Sequence, residues 1–333
     1  MTKTILKIRD LRTYFYTYAG VVRALEGVNL RVHEGDIFGI VGETGCGKSV
    51  TALSILRLVP NPGRIIGGEI LFEGRDVLKL SEEEMRREVR GKGMAATFQD
   101  PSTFLSPSHT IGEHLKDIIK ANADHPERLR GGELEERIIS TLTKVNLPDP
   151  ERVAEQYPHE LSGGMRQRSM IATGTSGRPS LFIADEATTF LDVTIGAQIL
   201  RLFQKMNRVD GTTIILITHN LGIIGEICNR VAVMYAGQIA ETCTTEDLFE
   251  KPLHPYTVGL LASIPLLDRE AEDLEEIPGT IPNLIHPPEG CRFHPRCKHA
   301  MEVCRREAPK MREVADGHEV ACHLYDGEVR GAE

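Results

Sequence analysis

The chain is 333 residues long with 41% hydrophobic side chains, enough for a buried core, yet only 5% aromatics and no Trp. That length allows two domains, or one large domain with an appendage, and a net charge of −9 argues against a nucleic-acid binder. No run approaches 18 apolar residues, and the start Met1-Thr2-Lys3-Thr4-Ile5 leads into alternating polar and apolar residues rather than a signal-type apolar region, so a soluble, cytoplasmic chain is expected.

Residues 5–41 predict short strands, the last being the apolar run Ile37-Phe38-Gly39-Ile40-Val41. It feeds Gly42-Glu43-Thr44-Gly45-Cys46-Gly47-Lys48-Ser49, which fits the phosphate-cradling pattern G-x-x-x-x-G-K-[ST]. Ser49 to Arg57 then reads as a helix closed by Pro60 and Pro62. Strand, glycine loop and helix are the context such a loop requires. Backbone N–H groups converge on the phosphates, and the helix offers its positive N-terminus. Lys48 adds a full charge for the β- and γ-phosphates, and the Ser49 hydroxyl is a ligand for Mg²⁺.

A second strand-like run, Met94-Ala95-Ala96-Thr97-Phe98, leads into Gln99. From 100 to 160 the sequence turns charged and helical, with Gly131-Gly132, Pro148 and Pro150 as breaks. Apolar runs return at Leu181-Phe182-Ile183-Ala184 and Thr213-Ile214-Ile215-Leu216-Ile217. Short apolar strands alternating with helices imply an α/β fold with a largely parallel sheet covered on both faces. The charged stretch, about 100–169, is then an inserted helical subdomain. Asp185-Glu186 close the first of these runs and His219 follows the second, so all three emerge at the carboxyl edge of the sheet, where phosphates bind. A helix-capping acidic pair and a structural strand-end His are the plain alternatives. Residues 173–177, Thr-Gly-Thr-Ser-Gly, set two glycines where a helix is expected, at a cost of about 1 kcal/mol each.

Beyond about 250 Pro becomes dense, at 252, 255, 265, 278, 282, 287 and 288, which marks residues 251–333 as an appendage to a domain over 1–250. Within it stand Cys291, Cys297, Cys304 and Cys322. A reducing cytosol disfavours disulfides, so the cluster points to metal. The spacing C-x5-C-x6-C-x17-C fits neither the usual zinc pairs nor the common ferredoxin runs, and from spacing alone zinc and an iron–sulfur cluster both stay open. Arg292, Arg296, Lys298, Arg305 and Arg306 are near enough in sequence to offset thiolate charge, and His294, His299 and His323 to be alternative ligands.

Residues 161–168, Leu161-Ser162-Gly163-Gly164-Met165-Arg166-Gln167-Arg168, lie between the glycine loop and Asp185-Glu186, and in this order the chain resembles the nucleotide-binding subunit of an ABC transporter. Phe98-Gln99-Asp100-Pro101-Ser102, Tyr157-Pro158-His159-Glu160, His254-Pro255-Tyr256-Thr257 and Ile277-Pro278-Gly279-Thr280-Ile281-Pro282 resemble the dipeptide/oligopeptide permease ATPases. The resemblance implies a RecA-like P-loop NTPase domain with an oligopeptide-transporter extension, an ATPase powering peptide import. Oligosaccharide and nickel are the alternative cargoes. Soluble ABC ATPases of DNA repair, ribosome work or iron–sulfur assembly are the rival, but the long heptads of the repair type and the second ATPase half of the ribosomal type are both missing from this sequence.

It also implies residue roles. Asp185 and Gln99 join Ser49 at Mg²⁺, Glu186 is the catalytic carboxylate, and His219 is the switch histidine at the γ-phosphate. Ser162, Gly163 and Gly164 close on ATP held by a second, homologous ATPase, and Asp192 lies at that interface. Two transmembrane permeases and an extracytoplasmic binding protein complete the assembly, which sits at the cytoplasmic face of the membrane. The four cysteines hold a [4Fe–4S] cluster in the family's extension. The adenine-stacking aromatic stays open among Tyr14, Phe15, Tyr16 and Tyr18. Ala187, Phe190 and Asn220 depart from the family's usual Pro, small residue and Asp.

Overall fold

The computed structural model describes residues 3–99, 104–123, 129, 131–189, 191–264 and 277–327. Phe190 and the stretch Asp100-Pro101-Ser102 lie outside them. The chain divides into two compact units, residues 1–78 with 216–333, and residues 79–215.

In the first unit, β1 (Thr4–Thr17) and β2 (Gly20–His33) form an antiparallel hairpin. Strand β4 (Gly63–Phe72) pairs with the other edge of β1, and β5 (Arg75–Asp76) closes the order β2-β1-β4-β5. These strands are 14 residues each in β1 and β2, not the short ones expected. Register shifts, one of them between Ile8 and Leu11 beside the left-handed Asp10, interrupt the period-two pattern and disguise one long strand as pieces. Leu6, Ile8, Leu11, Leu25, Val28 and Val32 fill the buried face.

Strand β3 (Ile37–Val41) is buried along its whole length, as a strand covered on both faces must be. It runs parallel to β9 (Arg230–Tyr235). From β9 the sheet continues antiparallel through β10 (Gln238–Thr244) and β12 (His318–Val320) to β11 (Arg312–Ala315). A two-residue turn with Ala236 and Gly237 both at positive φ joins β9 to β10, the geometry that matches strand twist. The sheet is therefore mixed: β10, within residues 1–250, begins its antiparallel edge, and residues 251–333 add β12 and β11. Strand β8 (Thr213–Thr218) crosses the division between the units.

In the second unit β6 (Met94–Thr97) and β7 (Leu181–Asp185) are parallel. Its helices include Ile111–Asn122, Gly132–Lys144, Pro150–Glu155, Gly163–Thr175 and Val193–Asp210. Thr110 and Glu113 form a capping box at the first, and Leu115 and Ile119 give it a buried stripe. The glycines at 174 and 177 prove to be packing residues. A Cβ at Gly174 would meet Phe182 Cε2 at 2.9 Å, and one at Gly177, past the helix end, would meet the Gly91 carbonyl at 2.0 Å.

Candidate functional site

Residues 42–49 form a tight loop between β3 and the helix Lys48–Ile55. Gly47 holds φ +109 with the Ala24 carbonyl 2.9 Å from where a Cβ would stand, so only glycine fits there. No side chain caps the helix that follows, and its first turn carries no acid, which leaves a positive N-terminus for an anion. The buried Lys48 Nζ curls over the loop and donates to the carbonyls of Gly42 at 2.7 Å and Glu43 at 3.1 Å. Thr44, Gly45 and Ser49 are exposed. Cys46 is fully buried, with its thiol pKa raised chiefly by that burial, so it serves the loop through its backbone.

Glu43 is fixed from two sides. Its N–H donates to the Tyr256 hydroxyl at 2.9 Å, and its carboxylate takes both terminal nitrogens of Arg296, at 2.8 and 3.0 Å. Glu43 is thus a post of the loop, held by the appendage. Tyr256 sits in a segment singled out from the sequence, but its contact spans 213 residues and no local pattern announces it. His219 stands exposed just past β8, and Asn220 caps the next helix by accepting the Gly222 N–H at 2.9 Å. That gives the departure from Asp a local use. Of the candidate aromatics, Tyr14 donates to Glu26 at 2.7 Å, Tyr16 lies under Arg64, and Tyr18 is fully exposed.

The second unit carries the other candidates. Asp185 ends β7 and is buried, while Glu186 adopts φ +49, a left-handed conformation that costs a non-glycine residue of order 1–3 kcal/mol. Thr189 steadies Glu186 by donating its hydroxyl at 3.2 Å. Ala187 is buried, and Gln99 is exposed past β6. Ser162 caps the helix Gly163–Thr175 by accepting the Met165 N–H, and no acid occupies the first turn. Gly164 admits Ile195, whose Cγ2 lies 2.8 Å from the would-be Cβ. Ile195 belongs to the helix Val193–Asp210 capped by Asp192, so the two motifs brace one another. Ser162 and Gly163 are exposed.

In the appendage all four cysteines are free thiols. Burial pushes Cys291 and Cys322 up to about 11, and the neighbouring thiols add to both shifts, so the four lie within electrostatic reach of one another. Backbone N–H groups donate to two of the sulfurs, His299 to Cys297 and Met301 to Cys304, each at 3.4 Å. Among the described residues, the ligand atoms that gather within 4.8 Å are those of Glu241, Cys243 and His318, and no three of the four thiols do so. Glu241 is a hydrogen-bond hub, accepting from His318 and from the Leu253 and His254 N–H groups.

The charge-offsetting role expected of the nearby arginines does not hold for two of them. Arg292 donates to the Ala236 carbonyl and faces Glu26, and Arg296 is bound to Glu43, because a buried guanidinium must be paired. His323 is also engaged at both ring nitrogens, by Asp326 at 2.7 Å and the Glu307 carbonyl at 2.8 Å.

Residues 25–189 match the family model described as ABC transporter, and residues 240–304 match the one described as oligopeptide/dipeptide transporter, C-terminal region. A probable peptide ABC transporter ATP-binding protein of Sinorhizobium fredii is 50% identical, over 96% of this chain and 94% of its own. The dipeptide transport ATP-binding protein DppD of Bacillus subtilis is 45% identical over 97% and 95%. Among solved structures, the ATP-binding cassette MJ0796, in a dimeric post-hydrolysis state with ADP and Pi, superposes with a TM-score of 0.65 at 25% identity, covering 72% of this chain and 98% of that one.

Proposed function

The chain belongs to the ABC transporter family, as an ATP-hydrolysing subunit of the dipeptide/oligopeptide type, and we propose the following division of labour among its residues. Backbone amides of the loop 42–49 and Lys48 bind the ATP phosphates, and Ser49, Gln99 and Asp185 hold Mg²⁺. Glu186 orients and deprotonates the attacking water, and His219 contacts the γ-phosphate. Phosphoryl transfer asks chiefly for positioning and charge stabilisation, which these groups supply. The observation that carries this reading is the phosphate loop: an uncapped helix N-terminus with a buried Lys48 turned over the loop.

Ser162 and Gly163, exposed at an acid-free helix start, suit an anion brought by a second ATP-binding subunit, with Asp192 at the same face. A homologous ATPase, two membrane permeases and an external binding protein complete the importer at the cytoplasmic face of the membrane. No helix among the described residues is long and apolar enough to cross a membrane.

Cys291, Cys297, Cys304 and Cys322 hold a [4Fe–4S] cluster that braces the appendage. The N–H donors at Cys297 and Cys304 suit anionic cluster ligands. One zinc held by the same four thiolates is the alternative.

The test is hydrolysis and peptide uptake by the assembled transporter. Lys48→Ala should abolish ATP binding, whereas Glu186→Gln should keep binding and lower turnover at least ~100-fold. Wild-type turnover in Glu186→Gln would overturn the assignment of the catalytic carboxylate.

A further inference from the structure

We propose that Arg296 is a positioning residue for nucleotide binding, holding the phosphate loop in its binding geometry through Glu43. A guanidinium has five N–H donors in a fixed fork, and here every one is engaged. Nη1 donates to Glu43 Oε2 at 2.8 Å and the Tyr235 hydroxyl at 3.4 Å, and Nη2 to Glu43 Oε1 at 3.0 Å and the Ile277 carbonyl at 3.3 Å. Nε donates to the Pro278 carbonyl at 2.8 Å. The Arg296 side chain is 5% exposed and that of Glu43 28%. A fork so constrained has one orientation, and it imposes one orientation on the carboxylate it grips.

Glu43 follows directly on Gly42, and its N–H is already taken by the Tyr256 hydroxyl. Backbone and side chain of this one loop residue are therefore both fixed by residues 235–296, all in the same unit. A glycine-rich loop freed from such restraint populates many conformations, and ATP must then select the competent one at a cost in affinity. Arg296 reduces that cost without touching the nucleotide. Cys297 is its chain neighbour, so the loop that carries two of the cysteines also carries the restraint.

The inference rests on the reading of residues 42–49 as the phosphate loop. Its test is the dissociation constant of ATP·Mg for the full chain, by equilibrium dialysis, alongside the melting temperature without nucleotide. Arg296→Met should weaken ATP about tenfold, within the usual range of couplings between sites. Arg296→Lys, which keeps the charge and loses the fork, should recover part of that loss. Glu43→Gln should weaken ATP similarly, and Glu43→Gln with Arg296→Met should be no worse than Arg296→Met alone, since both remove one contact. A purely structural arginine would lower the melting temperature and leave the constant unchanged, and that result, or losses that add in the double variant, overturns the proposal. If Arg296→Met does not fold, Glu43→Gln against Arg296→Lys gives the same cycle. Lys48→Ala separates the two readings. Wild-type affinity there would overturn the phosphate-loop assignment itself, whereas a loss there with Arg296→Met unaffected overturns only the role of Arg296.

Discussion

His254 caps the helix Pro255–Ala262 by accepting the Tyr256 N–H at Nδ1, 3.0 Å away, and it is buried. Burial pushes its pKa down to about 4, against a smaller opposing pull from Glu241. An imidazole in the unfolded chain titrates near 6.5, so between about 6.5 and about 4 the unfolded state binds the extra proton and stability falls as the pH drops. The loss should reach roughly 3 kcal/mol. Urea unfolding at pH 7 and pH 5 captures about 2 kcal/mol of it, and His254→Asn, which keeps a cap acceptor without a titrating group, should flatten the slope. An unchanged slope would show that another group governs acid sensitivity. The sequence displayed this histidine inside a recognisable segment, but its ring faces Tyr256 and Phe293 only once the fold has closed, and burial sets its pKa.

At the scale of an element, helix propensity and packing make opposite demands on the helix Gly163–Thr175. Replacing a helical glycine by alanine ordinarily stabilises by about 1 kcal/mol. At Gly174 the added methyl would stand 2.9 Å from the Phe182 ring, and overpacking costs about 1–3 kcal/mol. Gly174→Ala should therefore lower the melting temperature rather than raise it, and a higher one would mean that the ring yields. The β1–β2 hairpin makes a similar point. Its alternating pattern was legible, but bulges broke it, so strand length emerged only from pairing within the hairpin and with β4. The helix after the phosphate loop was found to within two residues at its end, because loop, lysine and the following run are local.

For the whole molecule, the sharpest measurement is metal content after purification without oxygen. About four iron and four acid-labile sulfide per chain are expected for a [4Fe–4S] cluster, falling when Cys304→Ser removes a buried ligand. One zinc without sulfide would contradict the cluster. Emptying the site should also loosen the appendage, since the aromatic cluster of Tyr235, Tyr256 and Phe293 rests against the segment between Cys291 and Cys297.

The sequence by itself determined the family, and it displayed the glycine-rich loop 42–49, the Asp185-Glu186 pair and the helix-opening Ser162-Gly163-Gly164, because each is a short run legible from neighbours in the chain. Only the tertiary structure decided that the appendage extends the sheet through β12 and grips the phosphate loop through Tyr256 and Arg296. The two contacts on the loop join residues more than two hundred positions apart, and a buried guanidinium or hydroxyl finds its partner only when the packed fold withdraws water from it.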